Sequence, residues 1–157
     1  MNEHRRFLAR AVAIARTHMR ADGGGPFGAV VVREGRIVGE GHNRVTAAND
    51  PTAHAEIVAI REACRTLDRF SLAGCTLYAS SEPCPMCLGA IYWARLERVY
   101  YANSRVDAAR IGFDDALIYD EIAKPPERRA LSMVRLDDAA ARRLFDEWSA
   151  MPDKIPY

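Results

Sequence analysis

The sequence predicts an α/β fold, a three-layer α/β/α sandwich on a mixed sheet of five strands. Three observations carry that expectation. Stretches with apolar residues at helical spacing alternate with short runs rich in β-branched residues, the order that strands and crossover helices produce. The chain has 157 residues, 49% of them apolar, which suits a single domain with a sizeable core. Two short segments rich in metal-ligand residues each stand where a helix begins, so that two helix N-termini converge on one point.

Phe7, Leu8, Ala11, Val12, Ala15 and Met19 recur at helical spacing, so residues 3–21 read as an amphipathic helix. Asp22-Gly23-Gly24-Gly25-Pro26 breaks it. Residues 27–32 are apolar and β-branched, and Glu34-Gly35 separates them from residues 36–41, an antiparallel hairpin signal. Residues 44–52, with Asn49-Asp50-Pro51, read as a loop leading to a helix that starts near Ala53. Residues 76–80 form the next expected strand, followed by a helix after Pro83 that turns Leu88, Ile91 and Tyr92 inward. Residues 98–102 and 131–135 complete the five strands. Between them, in residues 107–123, Gly112-Phe113-Asp114-Asp115 marks a turn before a short helix. A last helix covers residues 137–150, and the proline-restrained residues 151–157 form a stiff tail.

Positive and negative side chains nearly cancel, with a formal net charge of +1, and the arginines are interleaved with acids. That pattern argues against a nucleic-acid partner. No stretch has the length of a membrane span or a signal-peptide core, so the expected setting is cytoplasmic, with the four cysteines as thiols or metal ligands.

The chemistry is concentrated in His54-Ala55-Glu56 and Pro83-Cys84-Pro85-Met86-Cys87. Zinc takes imidazole nitrogen and thiolate sulfur in a tetrahedron, and catalytic sites use three protein ligands so that the fourth position holds water. His54, Cys84 and Cys87 make three, and the start of a helix helps keep both sulfurs as thiolates. Glu56 is left as an unliganded carboxylate, placed to take a proton from that water and pass it to a substrate. A CxxC pair alone suggests a redox centre or half of a closed structural site. The upstream histidine and glutamate change that reading, and a closed site needs a fourth ligand, for which Cys64, Cys75 and His42 are the other nearby residues. The combination matches the signature of zinc nucleobase deaminases.

Four segments carry a family resemblance over essentially the whole chain: residues 25–30, residues 50–56, residues 82–95 and Gly112-Phe113-Asp114-Asp115. Together they resemble the cytidine deaminase superfamily and, within it, the compact bacterial guanine deaminases. The first three are shared broadly, including with bacterial tRNA adenosine deaminases. Ile91-Tyr92-Trp93-Ala94-Arg95, the Gly-Phe-Asp-Asp turn and the terminal Tyr157 look specifically like guanine deaminase. The resemblance implies hydrolysis of guanine, a small purine base, to xanthine and ammonia, with one zinc per subunit on His54, Cys84 and Cys87 and with Glu56 as proton shuttle. It further implies that Phe27 stacks on the purine, that Asn43 hydrogen-bonds it and that Ala55 contacts it. Asp115 with Tyr157 closes the pocket, the tail at 151–157 acting as a lid, and the register leaves Asp114 as the alternative to Asp115. Trp93 then approaches from the partner in a homodimer whose C-terminal segments are exchanged.

The main rival is a tRNA adenosine deaminase, whose site must stay open on the sugar side to admit a flipped nucleotide. A proline-restrained aromatic tail favours a lid over a free base instead. Cytosine, guanosine and triazine deaminases share the motifs. A zinc-stabilised binding module is the alternative of another class, and it has no need of Glu56.

Overall fold

The computed structural model describes residues 3–21 and 23–157. Asp22, part of the expected helix break, lies outside the described residues, as do Met1 and Asn2. The chain divides into two compact units, Met1–Asp115 and Ala116–Tyr157.

The first unit holds one mixed sheet in the order β2-β1-β3-β4, made of β1 (Gly28–Arg33), β2 (Arg36–His42), β3 (Cys75–Ser81) and β4 (Arg98–Asn103). β1 pairs antiparallel with both β2 and β3, while β3 and β4 run parallel. The β1–β2 turn places Glu34 and Gly35 at φ 49° and 72°, two successive positive values of the kind that match strand twist in a tight hairpin. A central strand is covered on both faces, and the apolar run of β1 fits that position.

Alternation along the strands sorts the core into two layers. Ala29, Val31, Leu77 and Ala79 face α3 (Ala55–Leu67) and α4 (Pro85–Trp93), whereas Val30, Val32 and Tyr78 face α1 (Glu3–Ala21). α1 presents Phe7, Ala11, Ile14 and Ala15 as one buried stripe. Edge strand β2 lies close against α3 because Gly39 and Gly41 lack side chains: a Cβ on Gly41 would sit 2.1 Å from the Ala55 carbonyl oxygen. Glu62 Oε2 accepts a hydrogen bond of 2.7 Å from the Glu40 amide, occupying a group on the sheet edge. The segment expected as a loop at 44–52 contains a one-turn helix, α2 (Val45–Ala48), ended by Asn49 in the left-handed region. α5 (Arg105–Arg110) closes the first unit.

The second unit consists of α6 (Ala116–Ala123), a 3-10 turn at Pro126–Arg128 and α7 (Ala139–Ala150). Asp138 caps α7 by accepting from the amides of Ala140 and Ala141. The expected fifth strand at 131–135 does not form, so the sheet has four strands. Leu131 and Val134 stand 74% and 77% exposed, and no strand of their own unit is available to pair with them. Alternating hydrophobicity fits a pleated surface but cannot supply a hydrogen-bonding partner.

α4 corrects a second expectation. It turns Cys87 and Ile91 inward, one helical turn apart, and leaves Leu88 and Tyr92 exposed. The helix is apolar on every side, so periodicity gave it no buried face to read.

Candidate active site

The sheet delivers its chemistry to one end. Phe27 precedes β1, Asn43 follows β2 and Cys84 follows β3, and the antiparallel pairing places all three strand termini together. His54 is the N-cap of α3 and Cys84 the N-cap of α4, both with extended backbone, so each side chain leaves its helix instead of capping it. Pro85, not Pro83, occupies the first turn of α4.

His54 Nδ1 lies 3.5 Å from Sγ of Cys84 and 3.5 Å from Sγ of Cys87. Zinc bonds of about 2.3 Å to sulfur and 2.0–2.1 Å to nitrogen, at a tetrahedral angle, put N and S about 3.5 Å apart. These three residues are the metal-capable cluster among the described residues, and their donor set and spacing fit zinc. Hydrogen bonding from Cys87, reinforced by His54, pulls the Cys84 thiol from 9.0 down to about 4. Its neighbour Cys87 is pushed up, first by its hydrogen bond to Cys84 and then by burial. Hydrogen bonding thus favours the thiolate at Cys84 over that at Cys87, and a divalent cation at the centre would stabilise both sulfurs as thiolates. The Cys84 sulfur also raises His54 through its hydrogen bond.

Glu56 sits in the first turn of α3, 7% exposed, with Oε2 3.5 Å from Sγ of Cys87. Burial raises its carboxyl above the usual range, the direction that suits a group passing protons between water and substrate. Ala55 is buried beside it. Asn43 is buried too; its backbone N–H donates to the Phe27 carbonyl at 3.1 Å, and its side-chain Oδ1 accepts from the Val45 backbone N–H. Phe27 is half-buried against the core layer beneath α3 and α4.

Asp115 is partly buried, and its carboxyl is raised, first by burial and also by the charge of Cys84, which places it within electrostatic reach of the metal ligands. Asp114 is exposed. Trp93 is the last residue of α4 and 65% exposed. At about 1.5 Å per residue, the helix carries it more than 10 Å along the axis from the cysteine end. Tyr157 belongs to the second unit and is 75% exposed.

Sequence reasoning passed over Ser80. Its Oγ accepts from the Gly28 amide at 3.0 Å and pins β1 to β3 immediately beside Phe27. The signal was present as two serines, Ser80 and Ser81, ending an otherwise apolar buried strand.

Residues 1–103 match the family model described as the cytidine and deoxycytidylate deaminase zinc-binding region. Guanine deaminase of Bacillus subtilis (strain 168) is 51% identical over 154 residues, 98% of this chain and 99% of that one. The X-ray structure of guanine deaminase from Bacillus subtilis superposes with a TM-score of 0.96, covering 100% of this chain and 99% of that one at 51% identity. A tRNA-specific adenosine deaminase of Aquifex aeolicus is 49% identical over 77 residues, covering 49% of this chain and 51% of that one.

Proposed function

The chain belongs to the cytidine and deoxycytidylate deaminase family with its zinc-binding region, and on that premise we propose that it is a guanine deaminase, hydrolysing guanine to xanthine and ammonia. One observation carries the choice of substrate. Identity to the Bacillus subtilis guanine deaminase runs through 98% of the chain, whereas the Aquifex aeolicus tRNA deaminase matches 49% of it.

His54, Cys84 and Cys87 hold the zinc. When bound, it supplies a Lewis acid that lowers the pKa of water from about 16 to about 7. Glu56 takes one proton of the attacking water and delivers it to N3 of the base. It then takes the remaining proton from the new C2 hydroxyl and gives it to the amine, which leaves as ammonia as the C2–N bond breaks and the C2 carbonyl forms. Its burial keeps that proton exchange away from bulk solvent. Phe27 stacks on the purine. Asn43 meets its acceptors, and Asp115 accepts from its N–H donors; the partial burial of Asp115 and its proximity in charge to Cys84 support it over Asp114.

The tail at 151–157 serves as a lid, with Tyr157 closing over the base. The enzyme acts as a dimer that exchanges C-terminal segments. Support comes from the second unit, which buries none of its own side chains and leaves Leu136 84% and Phe145 76% exposed, an apolar surface that needs a cover. Trp93 of the partner subunit completes the site, since its position at the far end of α4 keeps it from its own metal centre. No helix among the described residues is long and apolar enough to cross a membrane, and four free cysteines suit a cytoplasmic enzyme.

The test is ammonia release by zinc-quantified protein offered guanine, guanosine, adenine, cytosine and an adenosine-containing tRNA anticodon stem. Turnover of guanine, with the others slow, is expected. Turnover of the RNA alone would overturn the substrate and the lid together.

A further inference from the structure

Phe113 meets Phe27 edge-on, with ring centroids 4.9 Å apart and planes at 88°. Phe113 is 47% exposed, so it is no ordinary core residue, and its placement needs another cause. That cause is α5, a six-residue helix closed at both ends. At its start, Ser104 accepts from the Asp107 amide while Asp107 accepts from the Ser104 amide, a reciprocal box. At its end, Gly112 adopts φ +95° and donates to the Ala109 carbonyl, while the Phe113 amide donates to the Ala108 carbonyl, each at 3.0 Å. That pair of bonds is the Schellman arrangement, and it fixes the direction in which the chain leaves the helix.

The backbone that carries the other ring is fixed as firmly. The Phe27 amide donates to the Gly25 carbonyl at 2.8 Å, its carbonyl accepts from Asn43, and the next amide is held by Ser80. A Cβ on Gly25 would stand 2.9 Å from Cδ2 of Phe27 and 3.4 Å from Cζ of Phe113, so the absence of a side chain there is what lets the two rings approach.

Resting on the reading that Phe27 stacks on the base, we propose that Phe113 is a positioning residue that sets the tilt of Phe27 and with it the slot for a flat purine. Edge-to-face contact fixes the angle between two rings as well as their separation. Without it, Phe27 turns about its own side-chain bonds and loses the orientation that stacking requires. Phe113 does not touch the reacting atoms, so its loss acts on binding before it acts on chemistry.

The experiment compares Phe113→Ala, Phe113→Leu and Gly25→Ala by guanine kinetics, zinc content, Tm and calorimetric titration with 8-azaguanine. Ala at 113 and Ala at 25 should each raise KM roughly three- to tenfold while kcat falls less than about threefold. Leu at 113, apolar but without an aromatic edge, should fall between Ala and Phe. Zinc should remain at one per chain in all three, with 8-azaguanine affinity falling in parallel with the rise in KM. Unchanged KM and affinity in the Ala variants at 113 and 25 would overturn the proposal; so would loss of zinc, which would assign Phe113 to the fold around the metal. Failure of the deamination reading shows separately, as a wild-type protein that releases no ammonia from guanine. The 8-azaguanine titration then still reads the ring pair, and a wild type that does not bind it overturns the slot.

Discussion

Sγ of Cys87 lies 3.5 Å from Oε2 of Glu56, so a metal ligand on one helix touches the carboxylate of the other. α4 supplies the sulfur and α3 the acid, and their juxtaposition ties the metal-capable cluster to the proposed proton carrier. Glu56→Gln keeps the size of the side chain but cannot carry a proton. It should retain zinc at one per chain and lose about 10³-fold in kcat. Activity equal to the wild type would remove Glu56 from proton transfer.

Zinc uptake should release protons. Hydrogen bonding lowers Cys84 to about 4 and raises Cys87, so a dication binding at pH 7 is expected to displace a proton from Cys87. His54 is raised by its hydrogen bond to Cys84 and contributes a further fraction. Adding zinc to chelator-treated protein in weak buffer at pH 7 should release roughly one to two protons per ion. Affinity should weaken as pH falls, because both His54 and Cys87 then hold their protons more firmly. A titration with no proton release would mean that both sulfurs are already thiolates.

Gly41→Ala should be among the most damaging small substitutions in the chain. The new Cβ would meet the Ala55 carbonyl at 2.1 Å and the Ala59 amide nitrogen at 2.6 Å, both backbone atoms that cannot swing away. α3 would have to move off the sheet and take His54 and Glu56 with it. The expected cost is about 3 kcal/mol with reduced zinc content, read by thermal melting and metal analysis. A Tm within a degree of wild type would show that the sheet and α3 separate easily.

Much of this was legible in the sequence. The metal-capable cluster of His54, Cys84 and Cys87 could be named because zinc restricts both donor type and spacing. α1 could be bounded at residues 3–21 because one face of it meets the sheet and the other meets water. The second unit was read less well because its apolar residues face no core of their own: residues 131–135 alternate like a strand yet have no strand to pair with. α4 misled for a related reason, since Leu88 and Tyr92 are apolar without being buried. In both cases hydrophobicity records a surface to be covered, and the sequence does not say by what. Phe113 stands within the Gly112–Asp115 turn, but its partner Phe27 lies 86 positions away, a contact that local spacing does not encode.

Asp115→Asn should separate recognition from metal binding. Burial and the charge of Cys84 hold this carboxyl above 3.8, so it becomes protonated earlier than a free aspartate as pH falls. Only the ionised form accepts hydrogen bonds at both oxygens, so kcat/KM for guanine should decline on an acid limb lying above 3.8. The asparagine variant should lose roughly 10²-fold in kcat/KM, keep its zinc and lack that limb. Loss of zinc would instead place Asp115 in the support of the metal centre.

Deleting Ile155, Pro156 and Tyr157 tests the lid with little risk to the fold. α7 ends at Ala150, and Lys154, which donates to the carbonyls of Ser149 and Met151, remains to cap it. Ile155 and Tyr157 are 68% and 75% exposed within the single chain, so their removal takes no side chain out of its own core. Tm should therefore stay within about two degrees of the intact protein, as for surface changes generally. Guanine turnover should fall about 10²-fold or more, because a free base has no sugar or phosphate to anchor it and depends on closure to exclude water. An enzyme of flipped nucleotides predicts the reverse, since its substrate must leave the site open on the sugar side. Undiminished guanine turnover in the shortened chain would end the lid assignment, while leaving the zinc centre and Glu56 where they are.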